Sequence, residues 1–397
     1  MNEEPSAPLA YDFLAPGRIV FGWGRRREAG RLAAKLGRRA FLVEGSRTLR
    51  ANGVLDELAA ALRAQGVEPV PLAMSTREPQ VEDVDDAAAC LRDAGASQGD
   101  LLLAIGGGSA IDLAKAAAAL ATNAQSSTVK DYLEGVGRGL AITEPPLPVL
   151  AMPTTGGTGT EATKNAVISS YDPPFKKSLR SDLMVPRIVL VDPQLSVSLP
   201  AETTAWTGMD AITQLIESYI SRNARPIPRA LAIEGLRRAL PNIQQAVRRG
   251  ESRPAREAMA HAALLSGLAL ANSGLGMAHG VAAALGVHAR VAHGLACAVM
   301  LPAALRVNRP VCQRELAELA RAVLGAKTAD DQAAAGMFVE RIEAISSALG
   351  VPRKLTQLGV RREQIPELVT ASRGNSMSGN PRHLSDDELA AVLEEMM

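Results

Sequence analysis

Up to Val191 the chain alternates short apolar runs with helical stretches, and beyond Pro200 it does not. Residues 18–22, 40–43, 101–105, 148–152 and 188–191 read as strands. Residues 67–72 read as an extended run that Pro69 and Pro71 confine to a sheet edge. Between them, 26–36, 54–65, 84–94 and the stretch through Ala121 carry helical periodicity. Strands alternating with helices predict parallel βαβ units. Residues 202–221, 228–249, 255–272, 278–285, 294–307 and 314–324 are rich in Ala and Leu and show no period-2 alternation. The expected architecture is therefore an α/β domain with a parallel, Rossmann-like sheet over residues 1–196, then an all-helical domain over 197–397. The boundary falls where Pro193 and Pro200 bracket a polar turn. Two domains also suit 397 residues, since single cores stop growing at roughly 250–300.

Charge excludes some partners. Lys and Arg number 43 against 42 Asp and Glu, so the net charge of +1 offers no field for nucleic acid or an anionic membrane. Cys90, Cys297 and Cys312 are odd in number and form neither a disulfide framework nor a CxxC pair, which suits a reduced cytoplasm. The first thirteen residues are acidic and lack the apolar stretch of a secretory leader. The expected partner is a small molecule, and the expected assembly a homodimer or higher homo-oligomer.

The apolar run 101–105 leads into Gly106-Gly107-Gly108-Ser109 and then a helix. Glycines there let backbone approach a pyrophosphate, whose charge the helix N-terminus stabilises. The same glycines also serve a tight turn with no ligand, and neither GxGxxG nor GK[ST] is present. A second loop, beginning Pro153-Thr154-Thr155-Gly156-Gly157-Thr158, also follows an apolar run. Two such loops at strand ends point to a dinucleotide lying across the sheet. After the strand 40–43, Gly45, Ser46 and Arg47 leave room and charge for a ribose 2′-phosphate, while Glu44 would suit a free 2′-hydroxyl. The expected cofactor is NAD(P), with a lean to NADP.

In the helical half, His279, His288 and His293 fall within fifteen residues of a chain that has five histidines. Upstream, Asp210 and Gln214 stand at i and i+4 on one helix face, with Glu217 and Ser218 close to it. Taken singly, these residues read as a cap, a core histidine or a helix start. One carboxylate and two imidazoles together fit a first-row divalent metal with a position open for substrate.

These residues, in this order, resemble the iron-containing (group III) alcohol dehydrogenase family. The likeness begins at Pro16-Gly17-Arg18 and continues through the glycine turn with Asp112, the Pro153–Glu161 loop, Gly208-Met209-Asp210-Ala211, the histidine segment and Gly379-Asn380-Pro381-Arg382. The resemblance implies an alcohol–aldehyde or alcohol–ketone oxidoreductase that passes hydride to or from nicotinamide. It implies one divalent metal (Fe, or Zn, Mn or Ni) held by Asp210, His279 and His293, and adds Asp112 to the cofactor-side residues. The family usually has His where this chain has Gln214, which becomes a candidate fourth ligand. It also commonly has His four residues beyond His279, where this chain has Ala283. His288 is the candidate proton carrier in its place, beside relay through solvent and the cofactor ribose. Two alternatives share the fold: a metal-independent, maleylacetate reductase-like enzyme, and a dehydroquinate synthase-like cyclase. The cyclase would need a basic pocket, for which Lys164, Lys176, Lys177 and Arg180 are the candidates.

Overall fold

The computed structural model describes residues 10–397; residues 1–9, which hold most of the acidic N-terminal segment, lie outside the described residues. Eight strands occur among them: β1 (Arg18–Phe21), β2 (Arg39–Glu44), β3 (Glu68–Met74), β4 (Leu101–Gly106), β5 (Val149–Pro153), β6 (Asn165–Tyr171), β7 (Pro174–Arg180) and β8 (Ile188–Val191). Six form one sheet in the order β1-β8-β5-β4-β2-β3, and every pairing in it is parallel. The proline-bearing β3 lies at the edge, where missing N–H donors cost no ladder bonds.

Helices cover both faces: α1 (Ala29–Ala33), α2 (Arg47–Ala51), α3 (Val54–Arg63), α4 (Val81–Asp93) and α5 (Gly108–Thr122). Alternation along β4 sorts its residues between two cores. Leu101, Leu103 and Ile105 pack with Leu32 of α1 and Leu58 and Leu62 of α3. Leu102 and Ala104 pack with Leu91 of α4 and Ile111 of α5. This two-sided burial is why the strands read as continuous apolar runs. From β2 the chain moves outward to β3, then returns through α4 to β4 on the other side of β2. Connections thus diverge at β2 and β4, which opens a crevice at their carboxyl ends.

Two local features differ from the sequence expectation. The helix expected over 26–36 begins as a 3-10 turn, Arg25–Glu28, and α1 itself is short. The cause is Asp192, whose carboxylate accepts from the N–H groups of Gly24 and Arg26 and ties this turn to the end of β8. The antiparallel β6–β7 hairpin was not foreseen. Its inward residues Ala166, Ile168, Phe175 and Leu179 join the α4–α5 core, while lysines and serines between them blur the alternation.

No strand follows Val191 among the described residues. Instead come α6 (Ala201–Ile220), α7 (Pro226–Arg248), α8 (Arg253–Ala271), α9 (Met277–His288), α10 (His293–Asn308) and further short and long helices. From Gly208 to Ile220, α6 is buried on every side. It therefore carries Asp210, Gln214 and Glu217 into the interior rather than to a polar surface. Among the described residues no helix is long and apolar enough to cross a membrane.

Candidate active site

The crevice between β2 and β4 is built by glycine. A Cβ on Gly45 would lie 2.5 Å from Gly106 Cα, and one on Gly106 would lie 2.6 Å from Gly45 Cα. Real Cβ atoms do not approach backbone this closely, so both strand ends require glycine. Gly107 is the N-cap of α5 and provides no side-chain cap, which leaves the Gly108 and Ser109 N–H groups at the helix start without one. The second loop meets this turn: a Cβ on Gly107 would lie 3.3 Å from Thr155 Cγ2, and one on Gly108 2.7 Å from Thr158 Oγ1. Gly106, Gly107, Gly108, Thr155 and Thr158 thus converge, with Ser109 in the first turn of α5 and Thr154 at the end of β5. Gly157 of the same loop abuts Thr207 of α6, and Gly159 abuts Gly267 of α8. The loop therefore reaches the helical half one helical turn before Asp210.

At that point four donors gather. His279 Nε2 stands 3.2 Å from Asp210 Oδ1, His293 Nε2 stands 3.8 Å from the same oxygen, and Cys297 Sγ stands 3.7 Å from His293 Nε2. One ligand atom from each of these residues lies within 4.8 Å of all the others. Donors held tetrahedrally at about 2.0–2.2 Å from one ion stand roughly 3.3–3.6 Å apart, and the carboxylate–imidazole distances of 3.2 and 3.8 Å bracket that range. The elements explain the convergence: Asp210 lies within α6, His279 in the first turn of α9, and His293 opens α10.

Buried acceptors orient the imidazoles. Glu217 Oε2 lies 2.7 Å from His279 Nδ1, and Glu217 Oε1 accepts from the Ala278 N–H. This carboxylate therefore caps α9 and turns His279 Nε2 toward Asp210, as outer carboxylates do for metal-bound histidines. Asn380, far along the chain, accepts from the Met277 N–H with its Oδ1, which gives the Gly379–Arg382 segment its role. Burial opposes charge on His279, but Cys297, Asp210 and Glu217 raise its pKa well above 6.5. Burial also favours a neutral Asp210, yet His293 and His279 hold its carboxyl below the usual range. Burial and then Lys176 push His293 down to about 4. His293 keeps 26% of its side-chain surface exposed, against 2% for Asp210, so access to the cluster is from the His293 side.

Other candidate residues lie elsewhere or have other partners. Gln214 Nε2 donates to Asp210 Oδ1 at 3.2 Å, and its Oε1 accepts from Ser266 Oγ at 2.6 Å. His288, the candidate proton carrier, ends α9 with its Nδ1 2.8 Å from Glu367 on the helix Ile365–Ala371, and is not among the clustered donors. Its place at the far end of α9 from His279 gives it a helix-terminal partner instead. Asp112 points away from the glycine turn, accepting from Thr160 Oγ1 and the Val167 N–H and pairing with Lys115. Ser46 caps α2 through the Thr48 N–H, and Arg47 is exposed at the start of that helix. Glu44 pairs with Arg50 through both carboxylate oxygens. Of the basic group of Lys164, Lys176, Lys177 and Arg180, three are already paired: Lys164 with Asp182, Lys176 with Glu78 and Arg180 with Glu134. Cys297 was missed as a cluster member. The signal was present: it follows His293 by four residues, the spacing that places two side chains on one helix face.

The two halves match two parts of one family. Residues 16–193 match the family described as iron-containing alcohol dehydrogenase, and 204–397 match its C-terminal domain. The long-chain-alcohol dehydrogenase 1 of Geobacillus thermodenitrificans is 32% identical over 96% of this chain and 97% of its own. A crystal structure of 1,3-propanediol oxidoreductase is 31% identical and superposes with a TM-score of 0.89 over 98% of this chain and 100% of its own. Sulfoacetaldehyde reductase from Bifidobacterium kashiwanohense, solved in complex with NAD+, is 28% identical with a TM-score of 0.86 over 98% of this chain and 99% of its own. With a parallel sheet that ends in a glycine crevice and an Asp–His–His cluster beside it, the chain belongs to the iron-containing alcohol dehydrogenase family and is an alcohol–aldehyde oxidoreductase.

Proposed function

We propose that the protein is an NAD(P)-dependent, divalent-metal-assisted oxidoreductase that interconverts a small alcohol and its aldehyde or ketone. In this reading residues 1–196 hold the cofactor and 197–397 hold the metal and substrate. The observation that carries it is the buried cluster of Asp210, His279 and His293 next to the loop that meets the glycine turn. A bound divalent ion would supply a Lewis acid for the substrate oxygen, and the nicotinamide would supply the two-electron chemistry.

The chain's own groups do the holding and orienting. The uncapped start of α5 receives the pyrophosphate, with Thr155 and Thr158 beside it. Asp210, His279 and His293 present their donor atoms to one point, Glu217 fixes the His279 ring, and Gln214 braces Asp210. Substrate enters on the exposed flank of His293. Ala283 offers no proton carrier, so the substrate proton exchanges with solvent along that open side. Because Arg50 neutralises Glu44, repulsion of a 2′-phosphate is relieved and Arg47 is left to face it. This supports a preference for NADP.

The test is a panel of primary alcohols, diols and the matching aldehydes, run with NAD and NADP on chelator-treated protein and after adding Fe, Zn, Mn or Ni. Turnover should vanish with the metal and return with at least one ion. Full turnover by rigorously metal-free protein would overturn the Lewis-acid reading.

A further inference from the structure

Cys297 is fully buried, and its sulfur stands 3.7 Å from His293 Nε2 with His279 and Asp210 close by. It forms no disulfide. Its Sγ can join Asp210, His279 and His293 in a set of four donor atoms that all lie within 4.8 Å of one another. A thiolate bound at about 2.3 Å and an imidazole at about 2.0–2.1 Å subtend roughly 3.5–3.6 Å at the tetrahedral angle, and the Cys297–His293 spacing of 3.7 Å needs only a small inward shift to reach it. α10 enforces the arrangement, because His293 and Cys297 stand one turn apart on it. Position 214 does not compete: the Gln214 N–H faces Asp210, and its carbonyl oxygen is engaged by Ser266.

Resting on the metal reading given above, we propose that Cys297 Sγ is the fourth protein ligand, completing an Asp–His–His–Cys site. The sulfur takes the place left by the absent imidazole at 214, approaching from α10 rather than α6. On binding, the S–H bond breaks, the sulfur–metal bond forms and the proton leaves to solvent. Two anionic and two neutral donors then match a divalent charge, and the thiolate shifts preference toward zinc-like ions and away from the oxygen-seeking ones. The exposed flank of His293 remains the side from which a further ligand approaches.

The protein is stripped with chelator and titrated with cobalt(II), alongside Cys297→Ser and Cys297→Ala. The wild type should bind one cobalt per chain and show an intense thiolate-to-cobalt charge-transfer band in the near ultraviolet. Both variants should lose the band, and their zinc dissociation constants should rise by more than about 100-fold, beyond what loss of an outer partner causes. One cobalt per chain with no such band overturns the cysteine ligand and leaves the metal reading intact. A band that persists unchanged in Cys297→Ala overturns it as well. Failure of the wild type to bind cobalt or zinc overturns both readings. Should the variants not fold, zinc-edge X-ray absorption of the wild type decides: a sulfur neighbour supports the proposal, and nitrogen and oxygen neighbours alone overturn it.

Discussion

Glu217 does two things at once, accepting from the start of α9 and from His279 Nδ1. Glu217→Gln keeps an acceptor for the Ala278 N–H but removes the charge that fixes the His279 tautomer. Metal affinity should fall about 10- to 100-fold, read as the zinc dissociation constant by competition with a chromogenic chelator. An unchanged constant would mean that packing alone orients the ring. At the other end of the cleft, Arg47 is exposed and Glu44 is already paired with Arg50. Arg47→Ala should lower kcat/KM for NADP about tenfold and leave NAD nearly unaffected, a loss of about 1.4 kcal/mol of charge-assisted binding. A wild type that prefers NAD, with a ratio the mutation does not move, sinks the NADP preference. Asp210, His279 and His293 were legible because residue type and spacing both pointed to a metal. Cys297 was not, because a lone cysteine far from any other carries neither a disulfide nor a CxxC signal. The partner of His288 was not legible either, since Glu367 comes from a helix whose packing no local pattern reveals.

The elements around the glycine turn are held by a buried charge network. Lys115 Nζ of α5 donates to the Thr160 hydroxyl and carbonyl and lies 3.4 Å from Asp112. Glu161, 3% exposed, sits in the same network with Lys115 as its cationic neighbour. Two buried carboxyls share one ammonium, so one carboxyl is better off protonated, and burial raises Glu161 to about 7. An acid whose folded pKa exceeds its unfolded value contributes stability below the unfolded pKa and loses it as pH rises through the folded one. The window here runs from about 4.5 to about 7. Glu161→Gln removes that dependence. Its urea-melt stability relative to wild type should improve between pH 5 and pH 8, with a ceiling of about 3 kcal/mol. A difference that does not change with pH would show that Glu161 titrates alike in the folded and unfolded states. The sheet strands beside this network were legible as continuous apolar runs. The β6–β7 hairpin that Asp112 holds at Val167 was not, because its inward positions are interrupted by polar residues on a half-covered surface.

At the scale of the molecule, the glycine crevice and the donor cluster belong to different halves, joined where Gly157 meets Thr207 and Gly159 meets Gly267. The change from alternating elements to helices alone made the two halves legible in the sequence. Their mutual placement was not, because it depends on backbone contacts at single glycines that carry no periodic signal. The donors all come from helices, on α6, α9 and α10, and none from the sheet. A metal that binds the folded form therefore ties three helices of one half together. At a free concentration of 100 times its dissociation constant it should add about 2.7 kcal/mol to unfolding. Hydrogen exchange should locate that gain: amide protection should rise in α6, α9 and α10, with strands β2, β4 and β5 little changed if the halves open independently. Equal protection of the strands would instead show that the glycine contacts couple the halves into one cooperative unit. Any coupling between the two sites within the folded state is a separate measurement, and it is reciprocal: a metal that lowers the NAD(P) dissociation constant must be tightened by the cofactor by the same factor.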